Sequence, residues 1–216
     1  MQQVLVRIDG NQYWLNEISR FEQVGGLSFG GGNGLVVAAH NLIAVLCGTE
    51  FGSVPVSLDW LPSDPGTPDL DPWDEIVEVS LGFEKGEGVL NSSLGVDPPA
   101  PPLSPGTYRV RVHARGRDRA QALGDVDGRD LVEEHLVQAW PAPTASETRY
   151  KLTDKFGAAV RQRPQALPPD SAPPASALDL RQPLSGGGGQ GGHLGRGEGY
   201  APGPPDPGPD HNLERG

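Results

Sequence analysis

Apolar and polar residues alternate along much of the chain up to residue 140, whereas helical periodicity is scarce. Alternation of this kind is typical of half-buried β-strands. The segments with the clearest pattern are 4–8, 12–18, 35–48 (one strand or two), 53–61, 75–83, 108–114 and 133–140. Short strands separated by turn residues predict an all-β fold, a single sandwich-like or partly open barrel domain of antiparallel strands.

Turn and breaker residues refine this prediction. Asp9-Gly10 predicts a hairpin turn between the first two strands, because both residue types tolerate positive φ. Pro55 lacks a backbone N–H and predicts an edge position or a bulge for its strand.

The C-terminal part of the chain has a different character. Residues 145–161 are predicted to form a short helix, capped by Thr144 or Ser146. From Arg163 onward the chain is rich in proline and glycine, and its few apolar residues are too sparse to offset the entropy of ordering. We expect a globular domain over 1–162 and a disordered tail over 163–216, which is a flexible extension or a read-through or frameshifted end.

Basic residues alternate with apolar ones in YRVRVHARGRDR, residues 108–119. Such alternation is typical of a strand with one face toward solvent. If this strand lies beside the strand at 75–83, Glu75 and Glu78 are placed to pair with the arginines. The stretch from Arg115 to Arg119 continues beyond the alternation and is predicted to enter a loop.

Carboxylates are concentrated between Asp59 and Glu78, and this run contains no basic residue. A solvated acidic loop is the simplest interpretation. Paired carboxylates are also the residues of general acid-base catalysis. A third interpretation is an acidic docking surface that imitates the charge of a nucleic acid and covers a basic site on a partner.

The net charge of −11 argues against general nucleic-acid binding or membrane-surface binding, since both need a positive surface. No apolar run is long enough for a membrane span, and the N-terminal residues do not have the pattern of a secretory signal. Cys47 is the only cysteine, so no internal disulfide forms. We therefore expect a cytoplasmic protein.

Recognised chemical motifs are incomplete. The glycine-rich stretch SFGGGNG lacks the Lys-Ser/Thr of a phosphate-binding loop. The segment from Leu123 matches a calcium loop only in part, at Asp125, Asp127, Gly128 and Glu134, and a turn at Asp127-Gly128 explains it more simply. No metal-ligand spacing accompanies His40, His113, His135 or Cys47. No cofactor, metal ligand or catalytic residue is predicted.

Three stretches, DPWDEIVEVSL, PGTYRVRVHARGRDRA and EEHLVQAWPAP, together resemble a group of small actinobacterial β-rich proteins with the pattern WDE, GxYRxRxxARGRD and LxQxWPAP. The match spans residues 40–160, and that group brings no assigned activity. More remotely, the order of strands is similar to the competence protein J family of nuclease inhibitors, with Pro105, Gly106 and Tyr108 at matching positions. This resemblance implies a non-enzymatic protein that binds or restrains a partner.

The leading hypothesis is a non-enzymatic, cytoplasmic protein-binding or inhibitory module, similar to an immunity protein, whose protein partner is unknown. The predicted contact residues form an acidic set and a basic set: Asp69, Asp71, Asp74 and Glu75, and Arg111, Arg115 and Arg117. One alternative is a hydrolase that uses carboxylates of the acidic run, with or without a divalent metal. Another is weak nucleic-acid binding through the arginine stripe.

Overall fold

The computed structural model of the protein describes residues 1–17, 29–39, 41–126 and 131–164. Its elements, in chain order, are β1 (Gln2–Asp9), β2 (Gln12–Glu17), β3 (Val36–Ala39), β4 (Leu42–Leu46), β5 (Phe51–Trp60), β6 (Glu75–Phe83), β7 (Gly88–Asn91), β8 (Val96–Asp97), β9 (Gly106–Arg115), α1 (Arg117–Leu123), β10 (Asp125–Val126), β11 (Glu134–Pro141), β12 (Thr148–Leu152) and α2 (Lys155–Gln162).

The strands form two sheets. The large sheet has the order β12-β6-β9-β11-β5-β1-β8, with β10 also paired to β5, and the small sheet has the order β3-β4-β2-β7. Pairing is antiparallel except where β5 meets β10 and β11. The prediction of a mostly β, sandwich-like fold is confirmed.

One hydrophobic core joins the two sheets, because the inward residues of both belong to the same cluster of buried side chains. In β5, Val54, Val56 and Leu58 face this core and alternate with half-buried residues, as the sequence predicts. β9 differs, since Tyr108 to Ala114 are buried on both faces. The outer face of β9 is therefore covered by other parts of the chain.

The predicted hairpin between β1 and β2 is wrong. β1 pairs with β5 and β8 in the large sheet, whereas β2 pairs with β4 and β7 in the small sheet. Gly10 and Asn11 both have positive φ, as a tight turn requires, and their N–H groups donate to the carbonyl of Glu50. The turn is thus present, but it carries the chain from one sheet to the other.

The predicted edge position of Pro55 is also wrong, since β5 lies inside the large sheet. Val126 of β10 pairs with Gly52, and His135 of β11 pairs with Val56. Pro55 falls between these two parallel ladders, opposite Leu5 of β1. The interruption accommodates the missing N–H of proline in a central strand.

The C-terminal helix is present but begins later than predicted. Residues 148–152 form β12, which extends the large sheet at β6. α2 begins at Lys155, and Asp154 caps it by accepting a hydrogen bond from the Gly157 N–H at 2.7 Å. The carboxylate of Asp118 accepts hydrogen bonds from the N–H groups of Lys155 and Phe156, which begin α2 and have no acceptor within the helix. Two acidic caps thus fix the start of α2.

Of the predicted tail, 163–216, residues 165–216 lie outside the described residues, and so does the predicted turn at Asp127-Gly128. Among the residues that are described, no helix has the length and hydropathy that crossing a membrane requires.

Candidate functional site: an acidic loop over a buried arginine layer

The acidic run becomes an exposed loop between β5 and β6, residues 62–74, which we call the acidic loop. Asp64 and Asp69 each close a small turn by accepting a backbone N–H, from Gly66 at 2.8 Å and from Asp71 at 3.1 Å. Each of these turns uses only one of the two oxygens of the carboxylate. The side chain of Asp64 is 66% exposed, and Asp69 and Asp71 are also exposed.

Beneath the acidic loop lies a buried ion-pair layer on the outer face of β6 and β9. Arg109 and Arg111 both bind Glu78, which stands opposite Arg111 in the register of the two strands. Arg109 Nε donates to Glu78 Oε1 at 2.8 Å, and Arg111 Nε donates to Glu78 Oε2 at 2.9 Å. We call these three residues the arginine layer. The predicted pairing of Glu78 with the arginine stripe is confirmed.

The arginine layer holds the acidic loop in place. The Arg111 guanidinium is 5.0 Å from the ring centroids of both Trp140 and Tyr150, and its Nη1 donates to the Gly66 carbonyl at 2.8 Å. A charged donor fixed between two aromatic rings gives this backbone contact a defined direction. Arg111 therefore supports the middle of the loop from below.

A second anchor holds the end of the acidic loop. The Asp74 N–H donates to the Ala114 carbonyl of β9 at 2.9 Å, and Asp74 Oδ2 accepts from the Gly116 N–H at 2.9 Å. Trp73 packs against His113, with ring centroids 5.3 Å apart. Burial and the charge of Arg111 lower the pKa of His113 to about 4, although a hydrogen bond to a backbone carbonyl opposes this shift. The His113 ring is therefore neutral at neutral pH.

Arg117 belongs to a different cluster. Its side chain is fully buried and donates to both oxygens of Asp154, at 2.6 and 2.9 Å, and to the carbonyls of Gly34 and Leu46. Glu75 completes the cluster between Arg117, at 3.6 Å, and Arg161, at 3.2 Å. We call Arg117, Asp154, Glu75 and Arg161 the helix clamp, because they connect β6, α1 and α2.

Glu75 is a titrating group within this clamp. Burial and the nearby Asp154 raise the pKa of the Glu75 carboxyl to about 7, against the opposing charges of Arg117 and Arg161. At neutral pH the carboxyl is therefore partly protonated.

Arg115 lies at the surface, where β9 ends. It binds Glu134 of β11, and its guanidinium is 5.4 Å from the ring centroid of Trp73. With Arg119 and Leu131 it lines a cleft of about 460 Å³ next to the end of the acidic loop. Gly116 follows in a left-handed conformation, where a Cβ atom would lie 1.9 Å from the Val132 carbonyl oxygen, so only glycine fits.

The predicted contact residues thus separate by exposure. Asp69, Asp71 and Arg115 are exposed, and Asp74 is half-buried. Glu75, Arg111 and Arg117 are at most 2% exposed and belong to the two internal ion-pair clusters. For these three residues the structure shows an internal supporting position instead of a surface contact. The outer face of β9 is also not solvated, because the acidic loop contacts Arg111 and His113 and the segment after β11 contacts Arg109.

Sequence reasoning missed a third buried polar cluster, which we call the polar hub: Cys47, Glu133, His135, Tyr13 and Thr49. His135 Nε2 contacts Glu133 Oε1 at 2.9 Å, and its Nδ1 contacts the Tyr13 hydroxyl at 3.0 Å. The only local signal is the Glu-x-His spacing at the start of β11, which places both side chains on one face.

The polar hub does not have the properties of a thiol active site. Burial and the neighbouring Glu133 raise the pKa of the Cys47 thiol well above its ordinary value, although Arg117 opposes this shift. Burial alone would raise the pKa of Glu133, but hydrogen bonds from His135 and Thr49 and the charge of His135 lower it overall. A protonated, fully buried thiol is a poor nucleophile.

No protein-family model matches the sequence, and no curated protein matches it. Two solved structures have a remote structural similarity to this chain. ComJ from Bacillus subtilis, an inhibitor of the DNA-degrading activity of NucA, has a TM-score of 0.43 and 11% sequence identity, covering 65% of this chain and 94% of ComJ. The crocagin biosynthetic gene J protein has a TM-score of 0.38 and 15% identity, covering 66% of this chain and 100% of that protein.

Proposed function

We propose that this protein is a binding module that docks its acidic loop on a basic surface of a protein partner and thereby restrains that partner. The observation that carries the proposal is an exposed acidic loop whose backbone is fixed from beneath. Arg111 binds the Gly66 carbonyl, and Asp74 binds the backbone of β9. A surface that is ordered before binding loses little conformational entropy when it meets its partner.

Charge supports a basic partner surface. Residues 62–74 contain Asp64, Asp69, Asp71 and Asp74 and no basic residue, on a chain with a net charge of −11. A field of one sign raises the association rate with an oppositely charged surface. Successive exposed carboxylates carry the same sign of charge as nucleic-acid phosphates. The partner chemistry we propose is therefore a nucleic-acid-binding surface, and covering it would inhibit the partner.

The structure also provides a recess beside the acidic loop. A cleft of about 520 Å³ lies between the start of the loop and the segment after β11, and its lining includes Asp64, Trp140 and Pro143. Such a recess has room for a side chain of the partner at the edge of the acidic surface, and residues anchored in recesses contribute strongly to binding.

Burial argues against the arginine-stripe alternative at two of its arginines, although Arg115 is exposed. Arg109 and Arg111 direct their guanidinium groups to Glu78 and to backbone carbonyls, and both side chains are at most 6% exposed. Phosphate binding needs these donors free and at the surface. Protein binding through the acidic loop is the function that the geometry supports best.

The test is affinity capture, in which the full chain is immobilised as bait and exposed to a lysate of cells that express the protein. Three baits are used in parallel. The first bait is the wild type. The second is Asp69→Asn/Asp71→Asn, in which the side-chain oxygen that closes the turn is kept. The third is Glu50→Gln/Glu87→Gln, a control that removes the same two charges from exposed positions elsewhere.

We expect a partner protein that the wild type and the control both retain and that added salt or duplex DNA releases. The amount captured by the acidic-loop variant is expected to be lower by about tenfold or more. Equal retention by all three baits contradicts the assigned surface. Absence of any protein above background contradicts the proposal as a whole.

A further inference from the structure

The polar hub has three potential metal ligands of different chemical types. Cys47 follows β4, Glu133 immediately precedes β11, and His135 lies in β11. Their side chains are at most 2% exposed. The thiol sulfur, a carboxylate oxygen and an imidazole nitrogen all lie within 4.8 Å of one another. Ligands of a tetrahedral zinc ion, with bonds of about 2.0–2.3 Å, are separated by roughly 3.3–3.8 Å, so small side-chain shifts suffice.

Surrounding hydrogen bonds fix the orientation of two of these ligands. The Glu133 carboxylate accepts from the N–H groups of Gly48 and Thr49 and from the Thr49 hydroxyl, at 3.0, 2.8 and 2.8 Å. His135 uses Nδ1 to contact the Tyr13 hydroxyl, which leaves Nε2 directed at Glu133. Metal-binding histidines and carboxylates in proteins are typically held by a surrounding shell of this kind.

Charge balance also permits a bound divalent ion. Binding would displace the thiol proton of Cys47, so that a thiolate and the Glu133 carboxylate face the ion. These two negative ligands compensate the two positive charges of the ion, and the occupied site carries no net charge. A buried site that exchanges protons for a metal avoids the large free-energy cost of an uncompensated charge.

We propose that the polar hub binds one Zn²⁺ ion through Cys47 Sγ, Glu133 Oε1 and His135 Nε2. Thiolate and imidazole together favour zinc over magnesium or calcium, which prefer oxygen ligands. The ion joins the end of β4 in the small sheet to β11 in the large sheet. The site is enclosed, so the ion is held away from solvent.

The first measurement is the metal content of the full chain, refolded with zinc chloride and passed through a desalting column. We expect about one equivalent of zinc in the wild type and in His193→Asn, a control that removes a histidine outside the hub. Cys47→Ser and Glu133→Gln are expected to lose at least nine tenths of it while circular dichroism shows a retained β fold.

The second measurement is the near-ultraviolet spectrum with Co²⁺ in place of zinc. Because Cys47 is the only cysteine, a sulfur-to-cobalt charge-transfer band can arise from this residue alone. The band decides the question even if the substituted variants fail to fold. The proposal would be overturned by any of three results. These are less than a tenth of an equivalent of zinc in the folded wild type, equal zinc in all variants, and a cobalt complex without the band.

Discussion

The arginine layer and the helix clamp both bury guanidinium groups against carboxylates, but they support different parts of the molecule. In the arginine layer, Arg109 and Arg111 share Glu78, and the surplus donors of Arg111 reach the exposed acidic loop. In the helix clamp, Arg117 binds Asp154, which caps α2, and the carboxylates and carbonyls that accept its hydrogen bonds belong to buried residues. The first cluster shapes a surface, whereas the second holds secondary structure elements together.

This difference predicts different consequences of mutation. Loss of the helix clamp leaves buried charges without partners and therefore reduces global stability. Loss of Arg111 leaves Glu78 bonded to Arg109 and to the Tyr150 hydroxyl, so its main consequence is local, in the acidic loop.

The largest expected effect is that of Arg117→Met. The substitution keeps much of the side-chain volume but removes the buried cation from Asp154 and one of the two cations beside Glu75, which costs about 3–5 kcal/mol of unfolding free energy. Urea denaturation measures this loss. The matched control is Arg115→Met, which breaks an exposed ion pair and is expected to cost less than about 1 kcal/mol. Equal losses in the two variants would contradict the internal role of Arg117.

The next effect is a pH dependence specific to the helix clamp. The folded-state pKa of Glu75, about 7, lies above the ordinary value of 4.5. Between these values the folded protein holds a proton that the unfolded chain has released, so the contribution to stability is complete below about pH 4.5 and is lost as the pH rises to about 7. At about 1.4 kcal/mol per pKa unit, the change is on the order of 3 kcal/mol.

This prediction is checked by urea denaturation of the wild type and Glu75→Gln across that pH window. The stability of the wild type relative to the variant is expected to fall as the pH rises, because glutamine does not titrate. A constant difference, or one that increases with pH, would show that Glu75 does not titrate in this range.

A smaller loss of stability is expected for Arg111→Met, about 2 kcal/mol, because Glu78 keeps its other partners. Thermal and urea unfolding of the variant measure this loss. Arg149→Met is the control, since Arg149 is exposed and pairs with Glu147 at the surface, and its loss should stay within about 0.5 kcal/mol. A loss as large as that of Arg117→Met would remove the distinction between the two clusters.

Much of the large sheet was predictable from the sequence, because alternation reports which residues share a face of a strand. Val77 and Val79 of β6 face the core, and Glu78 lies on the opposite face beside the arginines. Alternation does not report exposure, however. The face with Arg109 and Arg111 has the pattern of a solvated face, but the acidic loop and the segment around Ala145 fold back over it. No local feature of the sequence predicts that return.

The other two clusters depend on contacts between distant segments. Arg117 lies in GRDR, which reads as a surface loop, and its burial depends on Asp154 reaching it from another element. Tyr13 and His135 meet because β2 and β11 belong to opposite sheets of the sandwich. Short polar motifs do not specify such contacts, so these clusters became visible only in the folded chain.

Hydrogen exchange in the acidic loop tests most directly whether Arg111 holds a preformed surface. Four loop amides donate hydrogen bonds, those of Gly66, Asp71, Trp73 and Asp74. We predict that they are protected in the free wild type and that Arg111→Met accelerates their exchange by about tenfold or more, while amides of β4 keep their protection. Unprotected loop amides in the wild type, or equal exchange in the two proteins, would contradict the account.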